Sequence, residues 1–119
     1  MKIGFIGTGN MGGALARAAA KSGEAELLLA NRTPEKARAL ADAIGAAVCD
    51  NTTAAGEADH LFLGVKPQMM AGMLAGIAPV LKARAEKPVL ISMAAGLTIE
   101  SIRAMAGGAY PVIRIMPNM

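Results

Sequence analysis

Short apolar runs recur along the chain, separated by longer stretches in which apolar residues return every three or four positions. The runs are Lys2–Ile6, Glu26–Ala30, Ala46–Cys49, His60–Gly64, Pro88–Ser92 and Pro111–Ile115. The intervening stretches predict helices at about Met11–Lys21, Pro34–Ile44, Thr53–Glu57, Gln68–Ala85 and Ile99–Ala106. Strands that alternate with helices imply βαβ units and a parallel sheet. Strands buried on both faces of such a sheet read as unbroken apolar runs, as "HLFLGV" and "PVLISM" do. The pattern therefore predicts an α/β domain over residues 1–119, with no repeat, low-complexity segment or interdomain linker.

The punctuation agrees with these elements. Thr33 is placed to N-cap a helix that has Pro34 at its first position. Gly45 follows that helix as a left-handed stop. Thr98 precedes "IESI" as a second N-cap, and Gly107-Gly108 ends that helix.

The glycines near the start have a different logic. Gly7, Gly9 and Gly12 form Gly-x-Gly-x-x-Gly between the first strand and the first helix. The first glycine permits a tight turn, the second lets backbone approach a pyrophosphate, and the third lets helix pack on strand. The helix start adds N–H groups and a dipole that favour negative charge. In this strand–turn–helix context the motif indicates dinucleotide binding. The expected architecture is a Rossmann-type, doubly wound, mainly parallel sheet of about six strands in the order 3-2-1-4-5-6, with helices on both faces.

The dinucleotide is suggested by the second strand. An NAD site usually has Asp or Glu about 20 residues beyond the motif, on the ribose 2′-hydroxyl. Here "LLLANRTPEK" fills that place. Arg32 offers a guanidinium fork to a 2′-phosphate, with Asn31 and Thr33 as further hydrogen-bonding groups, which favours NADP(H). The bland reading is a capping turn with a solvated Arg. Ligands of such sheets bind beyond the carboxyl ends of the strands. Those ends read "LGVKP", "SMAAG" and "RIMPN". Small residues and Pro there leave room for a flat ring and its ribose. Met69, Met70 and Met73 read as core filler, and Lys82, Arg84, Glu86 and Lys87 as a solvated helix end.

Composition narrows the field. Hydrophobic residues make up 54% and charged residues 18%, enough for a core. No apolar run reaches the 18 or so residues of a membrane span, so a cytoplasmic protein is expected. The net charge of +3 suits an anionic ligand. Scattered basic residues, with no Trp, one Tyr and two Phe, give no stacking platform for nucleic acid. Cys49 and His60 are the only Cys and His, so no disulfide or metal cluster is expected. Cys49 reads as a buried, inert thiol.

"GFIGTGNMGGAL", "ANRT", "ADHLFLGVKPQ", "ISMAAGLTIESI" and "RIMPN" together resemble pyrroline-5-carboxylate reductase, in matching order over essentially all 119 residues. The Val-Lys-Pro, Ala-Ala-Gly and Met-Pro-Asn segments are more specific than the glycine turn. The resemblance implies an NAD(P)H-dependent oxidoreductase of proline biosynthesis. Hydride transfer would reduce the imine of Δ1-pyrroline-5-carboxylate to L-proline. It implies NADP(H), with NAD(H) as the alternative, held by Gly7, Thr8, Gly9, Asn10, Met11 and Gly12. Further contacts are implied at Asn31, Arg32, Thr33, Asn51, Gly64, Val65, Lys66, Pro67, Met93, Ala94, Ala95 and Gly96, with Asn118 near the nicotinamide.

The family continues after its Met-Pro-Asn segment into a C-terminal helical domain. That domain forms the homo-oligomer and supplies most of the imino-acid site. The expectation is thus the cofactor domain alone, inactive by itself. No residue is a convincing general acid, and the catalytic residues stay unassigned. Lys66 is the one candidate near the ring, with a ribose or structural role the stronger expectation. Two rivals are another NADP-dependent reductase, such as a hydroxyacid dehydrogenase, and a non-catalytic dinucleotide-sensing module. Substrate tests on a full-length protein separate the first, and turnover by it excludes the second.

Overall fold

The computed structural model describes residues 1–7, 16–21, 23, 26–31, 34–94 and 96–115. Six strands form one sheet: β1 (Lys2–Ile6), β2 (Glu26–Ala30), β3 (Ala47–Val48), β4 (His60–Leu63), β5 (Val89–Ser92) and β6 (Val112–Arg114). Every neighbouring pair is parallel, and the order is β3-β2-β1-β4-β5-β6. This is the expected order of a Rossmann-type sheet, with the strand order reversing between β1 and β4. The helices are α1 (residues 16–21 of the described chain), α2 (Pro34–Ile44), α3 (Asn51–Glu57), α4 (Pro67–Ala83) and α5 (Ile99–Ala106).

Alternation along the strands divides the core into two layers. Ile6, Ala30, Leu61, Leu63, Leu90 and Val112 face one side and pack with Ala54 of α3 and Ala58 at its C-cap, Met70, Leu74, Ile77 and Leu81 of α4, and Ile102 of α5. Phe5, Leu27 and Leu29 face the other side and pack with Ala16 of α1 and Ala37, Leu40 and Ala41 of α2. The Phe5 and Phe62 rings stack across β1 and β4 at a centroid distance of 4.7 Å. Gly4 brings α3 against β1: a Cβ there would lie 2.9 Å from the Ala58 Cβ. An isolated glycine in a strand marks such a close approach.

Burial departs from the expectation at β4. Leu61 and Leu63 are buried, but His60 and Phe62 on the opposite face are only half-buried. At the sheet's edge, Val112 is buried whereas Ile113 is 50% exposed. An apolar run reports strand residues, not what covers each face.

The helix ends are held by side chains that differ in part from those expected. Asp50 caps α3, accepting from the Thr53 N–H at 2.7 Å and from Thr52 Oγ1 at 3.0 Å, so the helix begins at Asn51 rather than Thr53. Thr98 caps α5 by accepting from the Ser101 N–H, and Gly107 ends that helix at φ +82°. The Gly45 N–H donates to the Ala41 carbonyl at φ +74°, the expected stop of α2. Arg84 and Lys87 are not merely solvated. Arg84 Nη1 donates to the Ala55 and Ala58 carbonyls at the end of α3. Lys87 Nζ donates to the Leu81, Lys82 and Arg84 carbonyls at the end of α4. Cations suit these carbonyl-rich ends, where the dipole is negative. Met70 is buried and Met73 packs against the core, but Met69 is 41% exposed. No helix among the described residues is long and apolar enough to cross a membrane.

Candidate cofactor site

The carboxyl ends of the strands gather the candidate residues at one edge of the sheet. Gly7 follows β1, Asn31 follows β2, and Gly64 to Lys66 follow β4. Met93, Ala94 and Gly96 follow β5, and Asn51 opens α3 beyond β3. Thr8, Gly9, Asn10, Met11, Gly12, Arg32, Thr33, Ala95 and Asn118 lie outside the described residues.

At the reversal point two glycines meet. The Gly7 N–H donates to the Ala30 carbonyl of β2 at 2.8 Å, and the Gly64 N–H to the Ile6 carbonyl of β1 at 2.7 Å. The ladders thus run one residue past the strands and fix the start of each turn. Gly7 has φ +87°, and a Cβ there would lie 2.8 Å from the Gly64 carbonyl carbon and oxygen. A Cβ on Gly64 would lie 2.5 Å from the Gly7 carbonyl oxygen. Gly7 therefore needs to be glycine for backbone conformation and for space. The first motif glycine has the left-handed backbone that a tight turn requires, and the rest of the motif lies outside the described residues.

The other candidates differ in exposure. Asn31 and Asn51 are half-buried, whereas Lys66 and Pro67 are exposed at the start of α4. Lys66 is the N-cap with extended backbone and no side-chain capping bond, followed by Pro67 in the first turn. Its exposed positive charge, at the carboxyl edge of the sheet, suits anionic groups. Met93 and Ala94 are buried, so their side chains line the support of the site rather than its surface. Gly96 is exposed with φ +80°.

Cys49 ends the β3 run, and its N–H donates to the Leu29 carbonyl. It is half-buried rather than buried. Burial first, and the Asp50 charge second, push its thiol above the ordinary value. Fewer thiolates mean low reactivity, as an inert thiol requires. Asp50 is held below the usual carboxylate range by hydrogen bonds from Thr53 and Thr52. Its charge thus neutralises the N-terminus of α3 from within the chain.

Sequence reasoning missed two residues that shape this edge. Asp50 was legible as one of several adjacent capping residues in "DNTT". Ser92 was legible as the polar residue ending an apolar run; it is 1% exposed and its Oγ accepts from the Ala94 N–H at 3.2 Å.

A parallel sheet in this order, with a glycine turn at its reversal point, defines a dinucleotide-binding class of domain. Comparison with known proteins agrees. Residues 2–96 match the family described as NADP oxidoreductase coenzyme F420-dependent, and the chain belongs to that family. More particularly, the chain resembles pyrroline-5-carboxylate reductases. It is 37% identical to that of Corynebacterium melassecola over 98% of this chain and 44% of the relative. The structure of the Coxiella burnetii pyrroline-5-carboxylate reductase superposes with a TM-score of 0.88 at 28% identity, over 98% of this chain and 44% of that one. The Plasmodium falciparum pyrroline carboxylate reductase with NADP bound superposes with a TM-score of 0.81 at 27% identity, over 99% of this chain and 42% of that one. The chain thus spans less than half the length of the curated relatives it matches.

Proposed function

We propose that residues 1–119 are the NADP(H)-binding domain of a pyrroline-5-carboxylate reductase, acting in proline biosynthesis. The observation that carries the reading is the Gly7–Gly64 contact at the sheet's reversal point, where the two backbones meet too closely for a Cβ on either residue and where this fold takes a dinucleotide. Family membership over residues 2–96 and a similar protein with NADP bound support the choice of cofactor. When bound, the nicotinamide supplies the hydride.

This chain's own residues bind and orient. Gly7 to Gly12 cradle the phosphates, Asn31 to Thr33 hold the adenosine ribose and its 2′-phosphate, and Asn51 flanks the adenosine half. Gly64 to Pro67, Met93 to Gly96 and Asn118 border the nicotinamide half. A protonated imine is already electrophilic, so catalysis is mainly positioning and electrostatics. We assign the imino acid as substrate. Most of its site, and the homo-oligomer contact, belong to a helical domain outside these residues. The proposed setting is cytoplasmic.

Calorimetric titration of the 119-residue chain tests this reading. NADPH binds more tightly than NADH, and a spectrophotometric assay with pyrroline-5-carboxylate shows no sustained oxidation of NADPH. Failure to bind either dinucleotide overturns the cofactor assignment. Sustained turnover by this chain alone overturns the placement of the substrate site.

A further inference from the structure

Among the described residues, Ser92 is a fully buried polar side chain in a sheet core otherwise built of apolar groups. It closes β5 at the carboxyl edge. Its Oγ accepts from the Ala94 N–H at 3.2 Å, and its carbonyl accepts from the Ile115 N–H at 2.9 Å. One residue therefore fixes both the turn leaving β5 and the end of β6.

Met93, inside that turn, is 6% exposed. A Cβ on Gly64 would lie 3.1 Å from the Met93 Cε. Gly64 in turn meets the Gly7 backbone. The turn after β5 thus leans on the end of β4, and that end leans on the phosphate turn after β1. A doubly wound sheet takes one nucleotide on each half. The β1-β2-β3 half, ending in "ANRT", takes the adenosine, which leaves the nicotinamide to the half that Ser92 organises.

We infer that Ser92 is a positioning residue for the nicotinamide end of the site, acting through the Ala94 N–H and the Met93 side chain without touching the cofactor. The inference rests on the dinucleotide reading above. Loss of the acceptor leaves a buried N–H unpaired, and the turn that carries Met93 relaxes.

The test compares a whole cofactor with its adenosine half. NADPH and adenosine 2′,5′-bisphosphate are titrated into the wild type, Ser92→Ala and Ser92→Cys, the last nearly the size of Ser but a poor acceptor. Both variants weaken NADPH by about threefold to tenfold, the net worth of one neutral hydrogen bond. Both leave the bisphosphate within about twofold of wild type. A purely structural role predicts otherwise. Equal losses for the two ligands, or no loss for either, overturn the inference while leaving dinucleotide binding intact. A wild type that binds neither ligand overturns the dinucleotide reading and the inference with it. If Ser92→Ala does not fold, Ser92→Cys decides; failure of both to fold assigns Ser92 to stability alone and overturns the inference.

Discussion

The two edges of the sheet are built on opposite plans. At the amino edge, side chains and charges staple the strands. Lys2 Nζ donates to Glu57 Oε1 at 2.9 Å and lies 4.0 Å from Glu26 Oε2. The Lys2 N–H donates to Asp59 Oδ2 at 2.8 Å, which joins β1 to the start of β4. At the carboxyl edge the described residues form no ion pair, and the strand ends meet through Gly7, Gly64 and the turn after Ser92. Exposed ion pairs are worth little singly, yet they act where no ligand has to enter. Glycines weaken ordered structure, yet Gly7 and Gly64 stand at the edge where ligands of such sheets bind. On the proposed cofactor reading, holding the fold and recognising the ligand fall largely to different edges, in keeping with the binding rule for such sheets.

The largest effect belongs to Gly7. Gly7→Val places a β-branched side chain at φ +87°, with its Cβ 2.8 Å from the Gly64 backbone. Left-handed strain alone costs about 1–3 kcal/mol at a non-glycine residue, and the overlap adds to it. A domain of this size loses about 3–6 °C of melting temperature per kcal/mol. Thermal melting therefore falls by about 5–15 °C, and NADPH binding by more than about tenfold, because the turn itself is displaced. A variant with wild-type melting and affinity breaks the contrast at its centre.

Arg32→Asp is next, and it sharpens the contrast by testing recognition at the carboxyl edge. The change removes the cation proposed to hold a 2′-phosphate and installs an anion that would repel it. Hydrogen bonds to charged groups are worth about 1.5–3 kcal/mol each, so NADPH binding weakens by roughly 2–4 kcal/mol. That is on the order of 30- to 1000-fold. NADH has no 2′-phosphate, and its affinity holds. Both dissociation constants are measured at one moderate salt concentration, since screening shrinks the difference. A ratio that moves less than about threefold removes Arg32 as the phosphate ligand.

The sequence disclosed features set by nearby backbone far better than features set by distant partners, for a physical reason. Glycine turns and capping residues act on backbone within a few positions, so spacing alone places Gly7, Gly45, Thr98 and Gly107. The apolar runs likewise place the strands, because each buried run must be continuous. Arg84 was missed because its partners, the Ala55 and Ala58 carbonyls, lie 29 and 26 residues away along the chain. Lys2 was missed for the same reason, its Glu57 partner being 55 residues distant. The start of α3 was blurred by local competition, since Asp50, Asn51, Thr52 and Thr53 are all capping types. The half-exposed face of β4 was hidden because His60 and Phe62 depend on what covers them, which no local pattern encodes.

The smallest effect tests the amino edge through pH. The hydrogen bond from the Lys2 N–H, with the nearby N-terminal ammonium, holds the Asp59 carboxyl below its ordinary value of 3.8. The folded state thus releases this proton more readily than the unfolded chain does. Its contribution to stability is fully present above the ordinary value and is lost as the pH falls through the lower folded value. Asp59→Asn removes that contribution while keeping an oxygen that accepts from the Lys2 N–H. Melting temperature at neutral pH drops by only a few degrees, because the carboxyl is solvent-exposed and its pairing is screened. Below pH 3.8 the variant's melting profile is shallower than that of wild type, since one fewer group takes up a proton on unfolding. NADPH affinity at neutral pH stays within about twofold of wild type, because Asp59 stands at the edge opposite the ligand. Melting is followed by circular dichroism from neutral to acid pH, and affinity by calorimetry. If Asp59→Asn lowered NADPH affinity severalfold at neutral pH with melting unchanged, the division of labour between the two edges would be wrong.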